Sequence, residues 1–235
     1  NMESIHQHAY SLLLDTVGLP DVEYKAFAEY EEMSNKHKYV TEFKPTIKDK
    51  KSIAKTLAVY SAFTEGLQLF SSFAILLNFP RFGKMKGMGQ IVTYSIRDES
   101  MHVEAMTKLF REFIQENLDI WTDDFKAEIY QICREMVEHE DKFLDLVFDM
   151  GDIQGLTKKD MYAYNRYIAD RRLLQLGLKT NYDQRENPLG WIDEVMGVEH
   201  QNFFEGRATS YMKAGLRGKQ ETINFTEINN ESQGS

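Results

Sequence analysis

Residues 99–102 read Glu-Ser-Met-His and residues 3–6 read Glu-Ser-Ile-His, so the chain carries two Glu-x-x-His pairs. At a spacing of three, the glutamate and the histidine of each pair lie on one face of a helix, about one turn apart. In a four-helix bundle with a di-metal carboxylate site, two helices contribute Glu-x-x-His and the other two contribute one carboxylate each. A single helical glutamate also stands between the pairs. The candidate metal ligands are therefore Glu3, His6, Glu65, Glu99 and His102.

The remaining histidines do not share this pattern. Glutamate and histidine are common residues, and one isolated Glu-x-x-His is close to chance. Only two of the six histidines have a glutamate three residues upstream, and both pairs lie in segments with helical apolar periodicity. On spacing alone, a metal site and ordinary surface or core histidines both remain open. The unpaired histidines are His8, His37, His139 and His200.

The composition is that of a helical protein and excludes several function classes. Of 235 residues, 42% are hydrophobic and 12% aromatic, which argues against disorder. No apolar run approaches the ~20 residues that span a bilayer, and without a signal peptide we expect a cytoplasmic protein. The net charge of −9 argues against a nucleic-acid surface. A single cysteine, Cys133, excludes an internal disulfide framework and a Cys-rich zinc site.

Apolar residues recur at spacings of three and four, which predicts about seven helices and no strands. The most apolar stretch covers residues 53–77, and Glu65 lies in its middle, where a carboxylate is costly unless a cation neutralises it. The predicted breaks lie at residues 18–20, around Pro45, and at residues 80–89, 151–155 and 181–188.

Two further residues accompany the Glu-x-x-His pairs. Tyr10 stands one turn beyond His6 on the same helix face, close enough to approach a metal bound there. Asp98 precedes Glu99 and is placed to accept the free N–H of a ligating histidine.

Together these motifs resemble the small, radical-generating subunit of class I ribonucleotide reductase. The resemblance runs through nearly the whole chain, with four motifs in the order and approximate spacing of that family. They are Glu3-x-x-His6-x-x-x-Tyr10, then Glu65 with Phe73 downstream, then Arg97-Asp98-Glu99-x-x-His102, then Asn202-Phe-Phe-Glu205-x-Arg207 leading to Tyr211.

The resemblance implies a role for each of these residues. The five glutamates and histidines named above are implied to bind two metal ions, most often iron, with manganese or a mixed pair also accepted by such ligands. Tyr10 is implied to be the tyrosine that is oxidised to a radical, in an apolar pocket lined by Leu69, Phe70 and Phe73. Asp98, Glu205 and Tyr211 are implied to carry the radical toward a large catalytic subunit, where ribonucleoside diphosphates are reduced.

The resemblance also implies the fold and the partners. We expect an all-α, ferritin-like bundle with additional helices over residues 1–212 and a flexible tail over residues 213–235 that docks on the large subunit. The sixth ligand of the family, an aspartate on a helix upstream of the first Glu-x-x-His, has no counterpart here, and the first helices of the family fold are absent with it. A shortened chain, a split gene and a remnant without a full site all remain open. We favour a split gene, in which a separate N-terminal fragment supplies the aspartate, and we expect a homodimer.

Two other function classes stay open. A different ferritin-like oxidase or oxygenase would keep both Glu-x-x-His pairs, but it gives no reason for Tyr10, the Asn-Phe-Phe-Glu-x-Arg segment and Tyr211 to occur together. A metal-free helical scaffold would treat every candidate ligand as a surface or packing residue, and it predicts no metal uptake.

Overall fold

The computed structural model describes residues 2–18 and 49–194, with only the backbone of Met2, and these residues are mainly helical. All of them belong to one compact unit, Asn1–Met196. The chain forms a π-helical segment, Val59–Gln68, and a short 3₁₀ turn, Leu118–Ile120. The α-helices are α1 (Met2–Val17), α2 (Lys50–Ala58), α3 (Leu69–Arg81), α4 (Lys86–Glu116), α5 (Asp123–Val147) and α6 (Lys158–Gln175).

Local sequence signals explain the starts of α2, α5 and α6 and the end of α1. Asp49 and Thr122 cap α2 and α5, because each side chain accepts a hydrogen bond from a backbone N–H of the first turn. Thr157 and Asp160 form a reciprocal capping box at the start of α6. After α1, Gly18 adopts a φ of +67°, a conformation that favours glycine and ends the helix.

The loop between α3 and α4 is shorter than the sequence predicts. The expected break over residues 80–89 is wrong at both ends, since Pro80 lies in the last turn of α3 and Gly89 in the first turns of α4. A Cβ on Gly89 would lie 2.4 Å from Pro80 Cγ, so this glycine serves the close approach of the two helices rather than a turn. The breaks at residues 151–155 and 181–188 do lie in loops, whereas the one around Pro45 falls outside the described residues.

The π-helical segment lies at the centre of the packing, because α4, α5 and α6 all contact it. Its residues Ala62, Phe63 and Leu67 are completely buried. Helix α1 packs against α4 and leaves several large apolar side chains exposed, namely Ile5, Leu12, Leu14 and Val17.

The predicted all-α class is confirmed for the described residues. Their one β-type pairing is an isolated bridge between Ile153 and Leu156. No helix in this part of the chain combines the length and the apolarity needed to cross a membrane.

Candidate metal centre

Glu99 on α4 is the central residue of the candidate site. Its side chain is only 5% exposed, and its two oxygens face different histidines. His6 Nδ1 lies 3.4 Å from Oε1, and His102 Nδ1 lies 3.4 Å from Oε2. Among the described residues, the buried Oε2 atom has no hydrogen-bond partner. A buried carboxylate oxygen without such a partner is expensive, so the arrangement suits a ligand atom for a cation.

The structure gathers the five predicted ligands into two clusters that share Glu99. In each cluster the potential ligand atoms lie within 4.8 Å of one another. We call Glu3, His6 and Glu99 the α1 half-site, and Glu65, Glu99 and His102 the core half-site. Because Glu99 belongs to both clusters, its carboxylate could contribute to holding two metal ions.

Local helix geometry explains the positions of the ligands. Glu3 and His6 are one turn apart on α1, and Glu99 and His102 are one turn apart on α4, as the spacing of three predicts. Glu65, in contrast, lies in the π-helical segment rather than in a regular α-helix. Single π-helical turns inside α-helices often occur at functional sites.

The electrostatics of the core half-site disfavour two ionised carboxylates without a cation. Burial raises the pKa of Glu65, and the negative charges of Glu99 and Glu3 raise it further. Burial likewise raises the pKa of Glu99, with Glu3 adding to the effect. Carboxylate oxygens and imidazole nitrogens together suit iron, manganese and related first-row metals. The donor set and the orphaned Glu99 oxygen therefore fit a di-metal centre.

Asp98 orients the histidine of α1. His6 Nε2 lies 3.2 Å from Asp98 Oδ2, and the Nη2 atom of Arg97 lies 3.7 Å from the other oxygen of this carboxylate. When Nε2 donates its proton to Asp98, Nδ1 is left with its lone pair toward Glu3 and Glu99. The sequence places Asp98 in this orienting position, and the structure has it there.

Tyr10 is linked to α4 by a hydrogen bond that the sequence analysis did not foresee. Its hydroxyl donates to Ser95 Oγ at 3.1 Å, and Ser95 donates in turn to the carbonyl of Ile91 at 3.1 Å. Burial raises the pKa of Tyr10, the hydrogen bond to Ser95 opposes this shift, and the charge of Glu99 adds to it. Ser95 lies one turn before Glu99 on α4, and this spacing is the sequence feature that could have indicated its place near the site.

The expected apolar pocket is only partly buried. Phe70 and Phe73 are buried and meet edge to face with their ring centroids 5.9 Å apart. Leu69 keeps 38% of its surface exposed. Two further predicted residues, Glu205 and Tyr211, lie outside the described residues, as does the tail over residues 213–235.

Comparisons with known proteins bear on the family. The family described as "Ribonucleotide reductase, small chain" matches residues 1–188. The probable ribonucleoside-diphosphate reductase small subunit of Invertebrate iridescent virus 6 is 40% identical, over 94% of this chain and 72% of its own length. The corresponding protein of Invertebrate iridescent virus 3 is 41% identical, over 92% of this chain and 62% of its own length.

A solved structure agrees in fold. The ribonucleotide reductase R2 subunit from Clostridium botulinum superposes with a TM-score of 0.74 at 29% sequence identity, over 82% of this chain and 62% of that chain. This match confirms the predicted ferritin-like architecture. The chain thus spans between 62% and 72% of the length of these three relatives. It belongs to the ribonucleotide reductase small-chain family, which confirms the predicted family and the predicted enzyme class, an oxidoreductase subunit.

Proposed function

We propose that this chain generates and stores a tyrosyl radical for a ribonucleoside-diphosphate reductase, in which a large catalytic subunit reduces ribonucleoside diphosphates to deoxyribonucleoside diphosphates. The observation that carries the proposal is the sharing of Glu99 by two ligand clusters, with Tyr10 on the same helix as His6. A scaffold has no need to bury Glu99 with an orphaned oxygen between two histidines. The family of the chain supports the same function.

Each residue has a defined task in this function. Glu3, His6, Glu65, Glu99 and His102 hold two metal ions, and Asp98 keeps His6 in the tautomer that offers Nδ1. Two metal ions held by these residues would supply, with dioxygen as the electron acceptor, the one-electron oxidation of Tyr10, whose hydroxyl would release its proton. Ser95 holds the hydroxyl of Tyr10 in place through its hydrogen bond. The buried rings of Phe70 and Phe73, which follow Glu65 in the sequence, limit the access of water and reductants to the centre.

The donor types indicate a class of metals rather than one particular metal. Mixed carboxylate and imidazole ligands accept iron and manganese, and we propose two iron ions, with two manganese ions or a mixed pair as the other members of that class. Element analysis of the protein after reconstitution with each metal distinguishes them. A metal-free scaffold would take up none.

We further propose that radical transfer to the large subunit runs through Asp98, Glu205 and Tyr211, and that residues 213–235 dock on that subunit. Asp98 supports this path because it contacts His6 directly, at one end of the metal centre. Deletion of residues 212–235 should weaken binding to a large subunit while leaving metal content and the Tyr10 radical unchanged. Loss of the metals in this variant would instead make the segment part of the fold.

We also propose that the protein is cytoplasmic and that it forms homodimers. We further propose that each copy binds a separate N-terminal fragment, which carries the sixth ligand, an aspartate. Two features of α1 support the fragment: the Glu3 side chain is 57% exposed, and Ile5 and Leu12 are exposed apolar residues on one face. Copurification of a second short polypeptide tests the proposal, and Leu12→Asp should prevent it. Purification of the chain without any second short polypeptide would contradict the proposed fragment.

The sharpest test of the proposed function is Tyr10→Phe. This variant keeps the ring and removes the oxidisable hydroxyl, so it should bind metals normally and lose the tyrosyl signal in electron paramagnetic resonance together with reductase activity. Tyr94→Phe is the matched control, because Tyr94 is an exposed tyrosine on α4. An unchanged signal in the Tyr10 variant would show that Tyr10 only packs.

A further inference from the structure

A buried arginine contacts the backbone next to Glu65. Arg172, on α6, is only 6% exposed, and its Nε donates a hydrogen bond of 2.7 Å to the carbonyl of Gly66. Its Nη1 donates to Gln175 Oε1 at 2.9 Å, and its guanidinium carbon lies 4.6 Å from the centre of the Phe70 ring. Arg172 thus joins α6 to both the π-helical segment and the first turn of α3.

Arg172 is an expensive residue to bury. Burial lowers its pKa to about 10, so it remains charged at neutral pH. A buried charge is costly unless it is paired, and among the described residues the charged and titratable groups that act on Arg172 are Tyr164, Tyr167 and Arg171, with no carboxylate. Its stabilising contacts are the Gly66 carbonyl, the Gln175 amide and the ring of Phe70. A core residue that only filled space would be apolar at lower cost.

Gly66 is shaped for this contact. A Cβ at this position would lie 2.7 Å from Arg172 Nε and 2.9 Å from the carbonyl oxygen of Ser61. Any larger residue would therefore displace the guanidinium. Gly66 directly follows Glu65, so the hydrogen bond restrains the backbone at the residue next to a candidate ligand, inside a helical segment of irregular geometry.

We propose that Arg172 is a positioning residue for the core half-site: by holding the carbonyl of Gly66, it keeps the Glu65 carboxylate directed at Glu99 and His102. This inference rests on the proposed metal centre. It predicts that Arg172 affects the metal ion on the Glu65 side and not the ion held by Glu3 and His6. Partners that orient metal ligands typically change metal affinity by roughly 10-fold to 100-fold when they are removed.

The experiment is a double-mutant cycle between Arg172 and Glu65, read out as cobalt(II) binding to the metal-free protein. Calorimetry gives the two affinities, and the visible absorption of cobalt reports its coordination. Arg172→Gln should lower the affinity for one of the two cobalt ions by roughly 10-fold or more. In the Glu65→Gln background the same change should have no further effect, because its target is gone. In the Glu3→Gln background the effect of Arg172→Gln should persist at full size.

Several controls separate this role from general loosening of the fold. Arg166→Gln removes another arginine of α6, one that pairs with Asp141 on α5, and it should leave cobalt binding unchanged. Arg172→Lys keeps the charge and one donor and should be intermediate between the native protein and Arg172→Gln. If Arg172→Gln does not fold, Arg172→Lys takes its place in the cycle.

The outcomes distinguish failure of the proposed metal centre from failure of the proposed role of Arg172. If the native protein binds no cobalt, the proposed metal centre itself fails. If it binds two ions but the effects of the Arg172 and Glu65 substitutions simply add, Arg172 is a structural residue and the inference is overturned. An equal loss in Arg166→Gln overturns it as well.

Discussion

The two half-sites share Glu99 and have the same chemistry, but the protein supports them differently. The α1 half-site relies on a helix that packs against α4 and keeps Ile5 66% and Leu12 52% exposed. The core half-site relies on the π-helical segment, which α4, α5 and α6 enclose. The carboxylate of the first, Glu3, is 57% exposed, whereas Glu65 is half-buried.

This difference implies an order of binding. A ligand set held by packed elements needs little reorganisation to bind a metal, while one on a loosely covered helix loses mobility when it does. We therefore expect the core half-site to bind the first ion, and the α1 half-site to depend on whatever covers the exposed face of α1.

Glu99→Ala should abolish the difference in metal binding between the α1 half-site and the core half-site. Because Glu99 is the one residue common to both clusters, its loss should lower the affinity for both cobalt ions. Each affinity should fall by about 100-fold or more, since removal of a residue that merely orients a ligand already costs up to about 100-fold. Glu104→Ala is the control, since Glu104 is an exposed glutamate on the same helix. Retention of one ion at native affinity would contradict the shared role of Glu99.

Asp98→Asn should affect only the α1 half-site. An asparagine offers His6 Nε2 a weaker acceptor or a competing donor, so the imidazole loses its preferred tautomer and orientation. The affinity for one cobalt ion should fall by roughly 10-fold to 100-fold and the other should stay near its native value. Asp124→Asn, at an exposed position on α5, serves as the control. Equal loss at both ions would show that the half-sites are not independent.

Glu65→Gln should stabilise the metal-free protein at neutral pH. The pKa of Glu65 is higher in the folded state than its ordinary 4.5, so the folded protein favours the protonated form. The resulting stability is present below the ordinary pKa and is lost as pH rises through the raised value. Removing the charge should therefore raise the free energy of unfolding at pH 7.

Chemical denaturation of the metal-free protein at pH 4 and pH 7 measures this effect. The gain should be present at pH 7 and largely absent at pH 4, where Glu65 is mostly protonated. Glu3→Gln should give a smaller gain, because water screens an exposed carboxylate. A larger gain from Glu3 than from Glu65 would reverse the comparison between the half-sites.

Ser95→Ala should loosen α1 slightly. The hydroxyl of Tyr10 loses its acceptor, at a cost of about 1 kcal/mol for one hydrogen bond. Hydrogen exchange should therefore quicken at the amides of α1 and remain unchanged in the π-helical segment. Ser100→Ala is the matched control, because within the described part of the chain the Ser100 hydroxyl donates only to the carbonyl of Ile96 on its own helix. Equal acceleration in both variants would mean that the Tyr10 contact does not hold α1.

Much of the candidate site could be predicted from local sequence. A spacing of three places Glu3 with His6, and Glu99 with His102, on one helix face whatever the rest of the chain does. The glutamate in the apolar stretch 53–77 was equally visible, because a carboxylate there conflicts with its surroundings. Gly18 and Gly83 marked turns correctly, whereas Pro80 and Gly89 did not, since both lie within helices and Gly89 serves the close contact of the two helices.

The all-α class and the pairing of candidate ligands within each helix follow from the sequence alone, because they depend on residues three or four positions apart. The packing of the helices places Glu99 in both clusters, Glu65 in a π-helical segment, Ser95 against Tyr10, and Arg172 against Gly66. Ser95 is 85 residues from Tyr10, and Arg172 is 106 residues from Gly66. Contacts over such separations depend on how helices pack, and the periodicity of a single helix carries no information about which side chains of another helix will face it.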